Sequence, residues 1–123
     1  MEYVGTLDTT LSGSRNGITP LYLWQAIQQL GVDGFKAKVA RCFRTADYAI
    51  EQLKSAGVKA WRHAHSIIVV FPRPSQEVVE RWQLAAYHDI AHLVIMPHVT
   101  SDRIDRFVED LKRVAPSREA GRR

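Results

Sequence analysis

The chain has 123 residues, 46% of them apolar, and 17 Lys and Arg against 13 Asp and Glu give it a net charge of +4. A chain of this size and apolar content can bury one core without a disulfide scaffold or a structural metal, which excludes an intrinsically disordered polypeptide. Half of the charge excess comes from Arg118, Arg122 and Arg123 against Glu119 at the far end, so the body lacks a concentrated basic face and nucleic-acid binding is not expected.

Residues 5–17 crowd Gly, Ser and Thr together and read as loop. Thr19-Pro20 then supplies an N-cap and a proline at the first helical position, with Ile18 just outside placed to pack on Leu23. A helix over 20–30 follows, stopped by Gly31. A longer helix over 34–56 carries Phe35, Val39, Phe43, Ala46, Ile50 and Leu53 at three- and four-residue steps and ends at Gly57. The period then changes. Residues 58–61 and 66–71 read as strands, the second apolar enough to be buried on both faces, and Pro72 and Pro74 stop it. Ser75 caps a helix over 75–86, with Glu77 in its first turn and Val79, Trp82 and Ala86 along one side. A third strand over 91–96 ends at Pro97. The last helix, 102–114, places Ile104, Phe107, Val108, Leu111 and Val114 on one face, with acids early and Lys112-Arg113 late, and 117–123 reads as a disordered basic tail. The pattern is α+β, a small sheet covered by helices, with no internal repeat.

Cys42 is the only cysteine, so no intrachain disulfide or CxxC metal knuckle can form, and a reducing, cytoplasmic setting is expected. Beside the apolar stripe of its helix it reads as a small buried hydrophobe. The apolar runs 67–71 and 93–96 fall far short of the roughly 20 residues that cross a bilayer, so no membrane partner is expected. The start, Met1 to Gly5, lacks a basic stretch followed by an apolar run, and no secretory leader is expected.

Chemistry concentrates in Ser12-Gly13-Ser14-Arg15-Asn16-Gly17, which lies directly before a helix N-terminus. Backbone N–H groups, two hydroxyls, a guanidinium and glycines that permit close approach together make an anion cradle suited to phosphate. A Ser/Gly-rich connector with Arg15 paired to a nearby acid explains the same residues, and on spacing alone the connector is preferred. The string matches neither the Gly-Lys-Ser/Thr phosphate loop nor the Gly-x-Gly-x-x-Gly turn. Asp8-Thr9-Thr10 upstream reads as an Asx turn. His88 and His92 have the four-residue spacing of a helical metal pair, but His92 falls in a strand, and scattered histidines with no metal site are the better account. His63 and His65 alternate along an extended segment and so point to one side, where a solvent-facing role is preferred over a substrate-facing one. Trp24, Trp61 and Trp82 fall on apolar faces and read as core.

Four strings in order carry a family resemblance: Asp8-Thr9-Thr10-Leu11-Ser12-Gly13-Ser14-Arg15-Asn16-Gly17, Pro20-Leu21-Tyr22-Leu23-Trp24, Arg81-Trp82-Gln83-Leu84-Ala85, and Asp89-Ile90-Ala91-His92-Leu93-Val94-Ile95-Met96-Pro97. From Tyr3 to about Val114 the chain resembles the C-terminal third of pyridoxal-phosphate-dependent group II amino-acid decarboxylases, in particular histidine and serine decarboxylases. The resemblance implies the small C-terminal domain of a fold type I enzyme, an antiparallel sheet with covering helices. Residues 1–19 would close the large domain, 20–56 would be linking helices, and 57–116 would be the small domain. It implies that Ser14, with Arg15, Ser12 and Gly13, lies on the phosphate side of the neighbouring subunit's cofactor. The cofactor in such enzymes is the electron sink for the carbanion left when carbon dioxide departs from histidine or serine.

Two features depart from the family. No Ser-x-His-Lys segment is present to supply the Schiff-base lysine, and none of Lys36, Lys38, Lys54, Lys59 or Lys112 replaces it. Ile18 stands where the family continues Arg-Asn-Gly-His. The expectation is therefore a decarboxylase fragment that is inactive alone and carries no catalytic residue of its own. Its expected partners are a second copy, or a complementary N-terminal chain that completes a site for a small amino acid. A non-catalytic dimerisation or small-ligand module derived from the same domain is the alternative. Either way, Leu21, Leu23, Trp24 and Ile27 are expected to be exposed when the large domain is absent.

Overall fold

The structure, a computed structural model, describes residues 16–114. Its elements are α1 (Ile18–Ser55), β1 (Ile68–Pro72), α2 (Gln76–Trp82), β2 (Ala85–Tyr87), β3 (Ile90–Val94) and α3 (Ser101–Val114). The chain divides into two compact units, Met1–Phe35 and Lys36–Arg123. The expected disordered tail over 117–123 lies outside the described residues.

In the first unit the described residues are almost wholly helical. The cap is Asn16, not Thr19: the Asn16 Oδ1 accepts hydrogen bonds from the Ile18 N–H at 3.1 Å, the Thr19 N–H at 2.8 Å and the Thr19 hydroxyl at 2.9 Å. Ile18 is therefore inside the helix, and its expected role as an external staple on Leu23 is lost. Pro20 sits in the first turn, where a missing N–H costs no helical bond. Gly31 breaks the helix locally at φ 56°, ψ −173°, a backbone conformation that a side chain would strain. The expected break at Gly31 is thus present, as a kink between two helical stretches within Ile18–Ser55.

In the second unit α1 presents Cys42, Ala46, Ala49 and Leu53 as its buried seam. Phe35 and Val39, expected on the same stripe, are exposed. The helix ends in a paired motif: Gly57 N–H donates to the Lys54 carbonyl and Val58 N–H to the Leu53 carbonyl, both at 2.9 Å, with Gly57 at φ 78°.

The sheet is antiparallel in the order β1-β3-β2. Its register pairs Val69 with Leu93 and Phe71 with Ala91 across one boundary, and Ala86 with Ala91 across the other. Val69, Phe71 and Ala91 point into the core, while Ile68, Ile90 and Val94 point outward and are exposed. Strand β1 is consequently buried on one face only, and not on both as its apolar run suggests. Helix α3 closes the core with Ile104, Phe107, Val108 and Leu111, each worth about 2 kcal/mol of transfer free energy.

Two expected elements differ. Residues 58–61 form no strand beyond an isolated pairing, with Trp61 N–H to the Val70 carbonyl at 3.0 Å and the reciprocal bond at 2.8 Å. The helix expected over 75–86 stops at Trp82, because Gln83 turns left-handed at φ 48° and Leu84 N–H closes back on the Val79 carbonyl at 2.9 Å. Ala85–Tyr87 then pairs with β3 through a turn at His88, φ 50°. Pairing with a formed strand outweighs the helical preference of two alanines. Trp24 and Trp61 are 62% and 50% exposed, so of the three tryptophans only Trp82 packs on the core. Cys42 is buried and unpaired with another cysteine, as read.

Candidate functional site

The residues expected to contact a phosphate, Ser12, Gly13, Ser14 and Arg15, lie outside the described residues, as do Asp8, Thr9 and Thr10. What the structure adds is the helix end that follows them. Two of the N–H groups that would have served an anion, those of Ile18 and Thr19, are already taken by the Asn16 side chain. The helix terminus therefore offers an anion fewer free donors than its sequence suggests.

The histidines do not converge. His63, His65, His88 and His98 are exposed and His92 is half-buried in β3, opposite Val70 and Ala85. Among the described residues no group of three or more His, Cys, Asp or Glu side chains could hold a metal ion. His63 rests edge-on against Trp61 with centroids 5.1 Å apart, which accounts for both side chains on the surface.

Two polar hubs escape sequence reasoning because their partners are distant along the chain. Arg62 donates to Asp47 Oδ1 through Nε at 2.8 Å and Nη2 at 2.7 Å. Its Nη1 reaches the carbonyls of His63, Ala64 and Ser66 at 3.0, 2.9 and 3.2 Å, and the guanidinium lies 5.4 Å from the Phe43 ring centroid. Arg62 thus fixes the irregular segment that leads into β1 against α1, a structural role fully satisfied by protein atoms.

Asp110 joins α2 to α3. It accepts the Trp82 indole N–H at 2.9 Å and Arg81 at 3.1 Å, and Arg113 lies 2.6 Å away. The Trp82 hydrogen bond, then that of Arg81, then the nearby guanidiniums hold its carboxyl below the usual aspartate value, against some opposing desolvation. A depressed folded value means that Asp110 stabilises the fold above the unfolded aspartate value of 3.8 and loses that contribution as pH falls through the lower folded value. In urea unfolding, the gap in midpoint between the native chain and Asp110→Asn is therefore expected to be widest near neutrality and to close as pH drops below 3.8. A gap that stays constant through that range would contradict the assignment.

A shallow cleft of about 380 Å³ lies between α1 and the loop before α3, bordered by Arg44, Tyr48, His98 and Thr100. Arg41 at its edge donates to the Pro97 carbonyl. The Tyr48 hydroxyl donates to Asp105 at 2.7 Å, and that bond, with desolvation and the charges of Asp105 and Asp102, pushes the phenol above its ordinary value. Tyr48 therefore stays protonated at neutral pH and offers no base. No helix among the described residues is long and apolar enough to cross a membrane.

No family model matches the chain. It is 45% identical over 112 residues to serine decarboxylase 1 of Oryza sativa subsp. japonica, covering 90% of this chain and 23% of that protein. It is 40% identical over 111 residues to a histidine decarboxylase of Mesorhizobium japonicum, covering 90% of this chain and 30% of that protein. The chain thus spans under a third of the length of these relatives, and it matches a C-terminal part of them. Among solved structures, L-methionine decarboxylase from Streptomyces sp. 590 with L-methionine methyl ester superposes with a TM-score of 0.70 at 25% identity, covering 94% of this chain and 26% of that one.

Proposed function

We infer that this chain, a relative of the C-terminal part of serine and histidine decarboxylases, supplies that part in a pyridoxal-phosphate-dependent amino-acid decarboxylase. The carrying observation is identity of 37–45% to serine and histidine decarboxylases, extending over about nine-tenths of the chain. On this reading residues 1–19 finish the cofactor domain, 20–56 link the domains, and 57–116 form the small domain. Ser12, Gly13, Ser14 and Arg15 then border the cofactor phosphate of a neighbouring subunit in a cytoplasmic dimer. Histidine and serine are the substrates the reading favours, with carbon dioxide and the corresponding amine as products.

The described residues do not by themselves make a seat for the cofactor. Lys36, Lys38, Lys54, Lys59 and Lys112 are all exposed, none in a recess where an amine could be desolvated and held. This chain's role is accordingly the rim and cover of the site, and the anchoring lysine belongs to the remaining part of the enzyme. The purified chain mixed with pyridoxal phosphate and histidine or serine is expected to release no carbon dioxide and no amine. Co-expressed with the N-terminal part of the Mesorhizobium enzyme, it is expected to co-purify with it. Turnover by the chain alone would overturn the assignment, and failure to associate would favour an independent binding module.

The helix of the first unit supports an incomplete body. Residues 16–32 contain no Asp, Glu, Lys or Arg, and Ile18, Leu21, Leu23, Trp24 and Ile27 are 48–64% exposed. Leu23, Trp24 and Ile27 share one side while Leu21 and Tyr22 lie on the other among Gln25, Gln28 and Gln29, so large apolar side chains face both ways and no side is charged, as in a helix enclosed by a larger protein. Left uncovered, this surface promotes self-association. Light scattering is expected to show oligomers for the native chain and a shift toward monomer for the double variant Leu23→Glu, Trp24→Glu. A monodisperse native monomer would count against the reading.

A further inference from the structure

We propose that a groove of the second unit binds a small apolar carboxylate that carries no ammonium group. The groove encloses about 630 Å³ where the end of α1, the end of β1, the start of α2 and the end of α3 meet. Its floor is core: Phe71, Val78 and Leu111 are 1%, 1% and 9% exposed. Val58, Pro72 and Pro74 extend that apolar surface toward the rim. A cavity of this size with an apolar floor and a few charged groups at its edge has the anatomy of a small-molecule site.

The rim sets the sign of the ligand. Lys59, Arg73 and Lys112 border the groove, and among the described residues no Asp or Glu lines it. Arg73 is held in place by Gln76 Oε1 at 2.9 Å and the His88 carbonyl at 3.3 Å, neither of which neutralises it. Lys59 and Lys112 make no ion pair among the described residues, whereas the neighbouring Arg81 and Arg113 are paired with Glu77 and Asp110. Lys112 sits in the last turn of α3, where the helix dipole favours a cation. That argument does not extend to Lys59 and Arg73, which lie outside the helices. Three cations around an apolar floor complement a carboxylate on an apolar body.

Charge also excludes the nearest alternatives. Residues 115–123 carry Arg118, Arg122 and Arg123 against Glu119, so the chain's own end has the same sign as the rim. An amino acid or an amine would bring an ammonium to that rim, which separates this groove from the substrate and product of the decarboxylase reading. The proposal does not depend on that reading.

The test is a titration of the whole chain with octanoate, octanol and octylammonium, followed by amide chemical shifts. Octanoate is expected to shift the amides of 56–59, Phe71, Arg73, Ser75 and 111–114 saturably and to bind at least about tenfold more tightly than octanol, a difference of about 1.4 kcal/mol. The double variant Lys59→Gln, Lys112→Gln is expected to reduce that advantage several-fold, with Arg73 retaining the remainder, while leaving octanol binding unchanged, and Lys59→Glu, Lys112→Glu to reverse the preference toward octylammonium. Both variants alter exposed side chains, and retained chemical-shift dispersion shows that they fold. Equal affinity for the three probes, shifts confined to other residues, or an octanoate affinity indifferent to both variants would overturn the proposal.

Discussion

Phe107→Ala is expected to remove about 3–5 kcal/mol from the stability of the second unit. Phe107 is 1% exposed and meets two aromatic neighbours edge-on, Phe71 at 5.7 Å and Trp82 at 5.3 Å between centroids. It therefore ties α3 to β1 and to α2 at once. Truncation would leave a cavity bounded by β1, α2 and the rest of α3, which could collapse only by disturbing the Trp82 ring and with it the indole bond to Asp110. At roughly 0.05–0.15 kcal/mol per residue, a domain of this size has about 4–12 kcal/mol in total, so the variant is expected to lose about a quarter of its stability or more. Urea unfolding followed by near-ultraviolet circular dichroism reads this directly. Trp24→Ala, which alters a side chain 62% exposed in the other unit, provides the internal contrast, with an expected change within about 0.5 kcal/mol. A loss below about 1 kcal/mol for Phe107→Ala would mean that the aromatic contacts do not organise the core.

Much of the fold is legible where one residue acts through its own backbone or a regular period. Gly31 and Gly57 mark the kink and the end of α1 because each occupies a positive φ that other residues avoid. Helix α3 is legible because its four buried residues follow the three- and four-residue steps without interruption. Strand β2 is not legible, because its helix is ended by Gln83 in a left-handed conformation, and glutamine carries no signal for that turn. The cap at Asn16 is displaced from the expected Thr19 because asparagine can accept several hydrogen bonds from its position before the helix, and it does so here.

The buried seam of α1 shows a different limit. Periodicity nominates Phe35 and Val39 as readily as Ala46 and Leu53, since it reports which residues share a face and not how far the covering elements extend. The hubs at Arg62 and Asp110 are invisible for a further reason: Arg62 reaches Asp47 at 15 residues' separation and Asp110 reaches Trp82 at 28. The loop of Ser12, Gly13, Ser14 and Arg15 is conspicuous in the sequence, and its resemblance to a decarboxylase motif brings with it an assignment that spacing does not supply.

The largest functional effect is expected from joining this chain to the N-terminal part of a relative. The decisive experiment replaces the matching C-terminal part of the Mesorhizobium japonicum histidine decarboxylase with this chain and measures carbon dioxide and histamine release. The account predicts a folded chimera that binds pyridoxal phosphate and turns over histidine within about 100-fold of the parent, a penalty of about 2.7 kcal/mol on the barrier for imperfectly matched contacts. Turnover should fall further when Ser14→Ala is introduced into the chimera. A folded chimera that neither binds pyridoxal phosphate nor releases carbon dioxide would contradict the account.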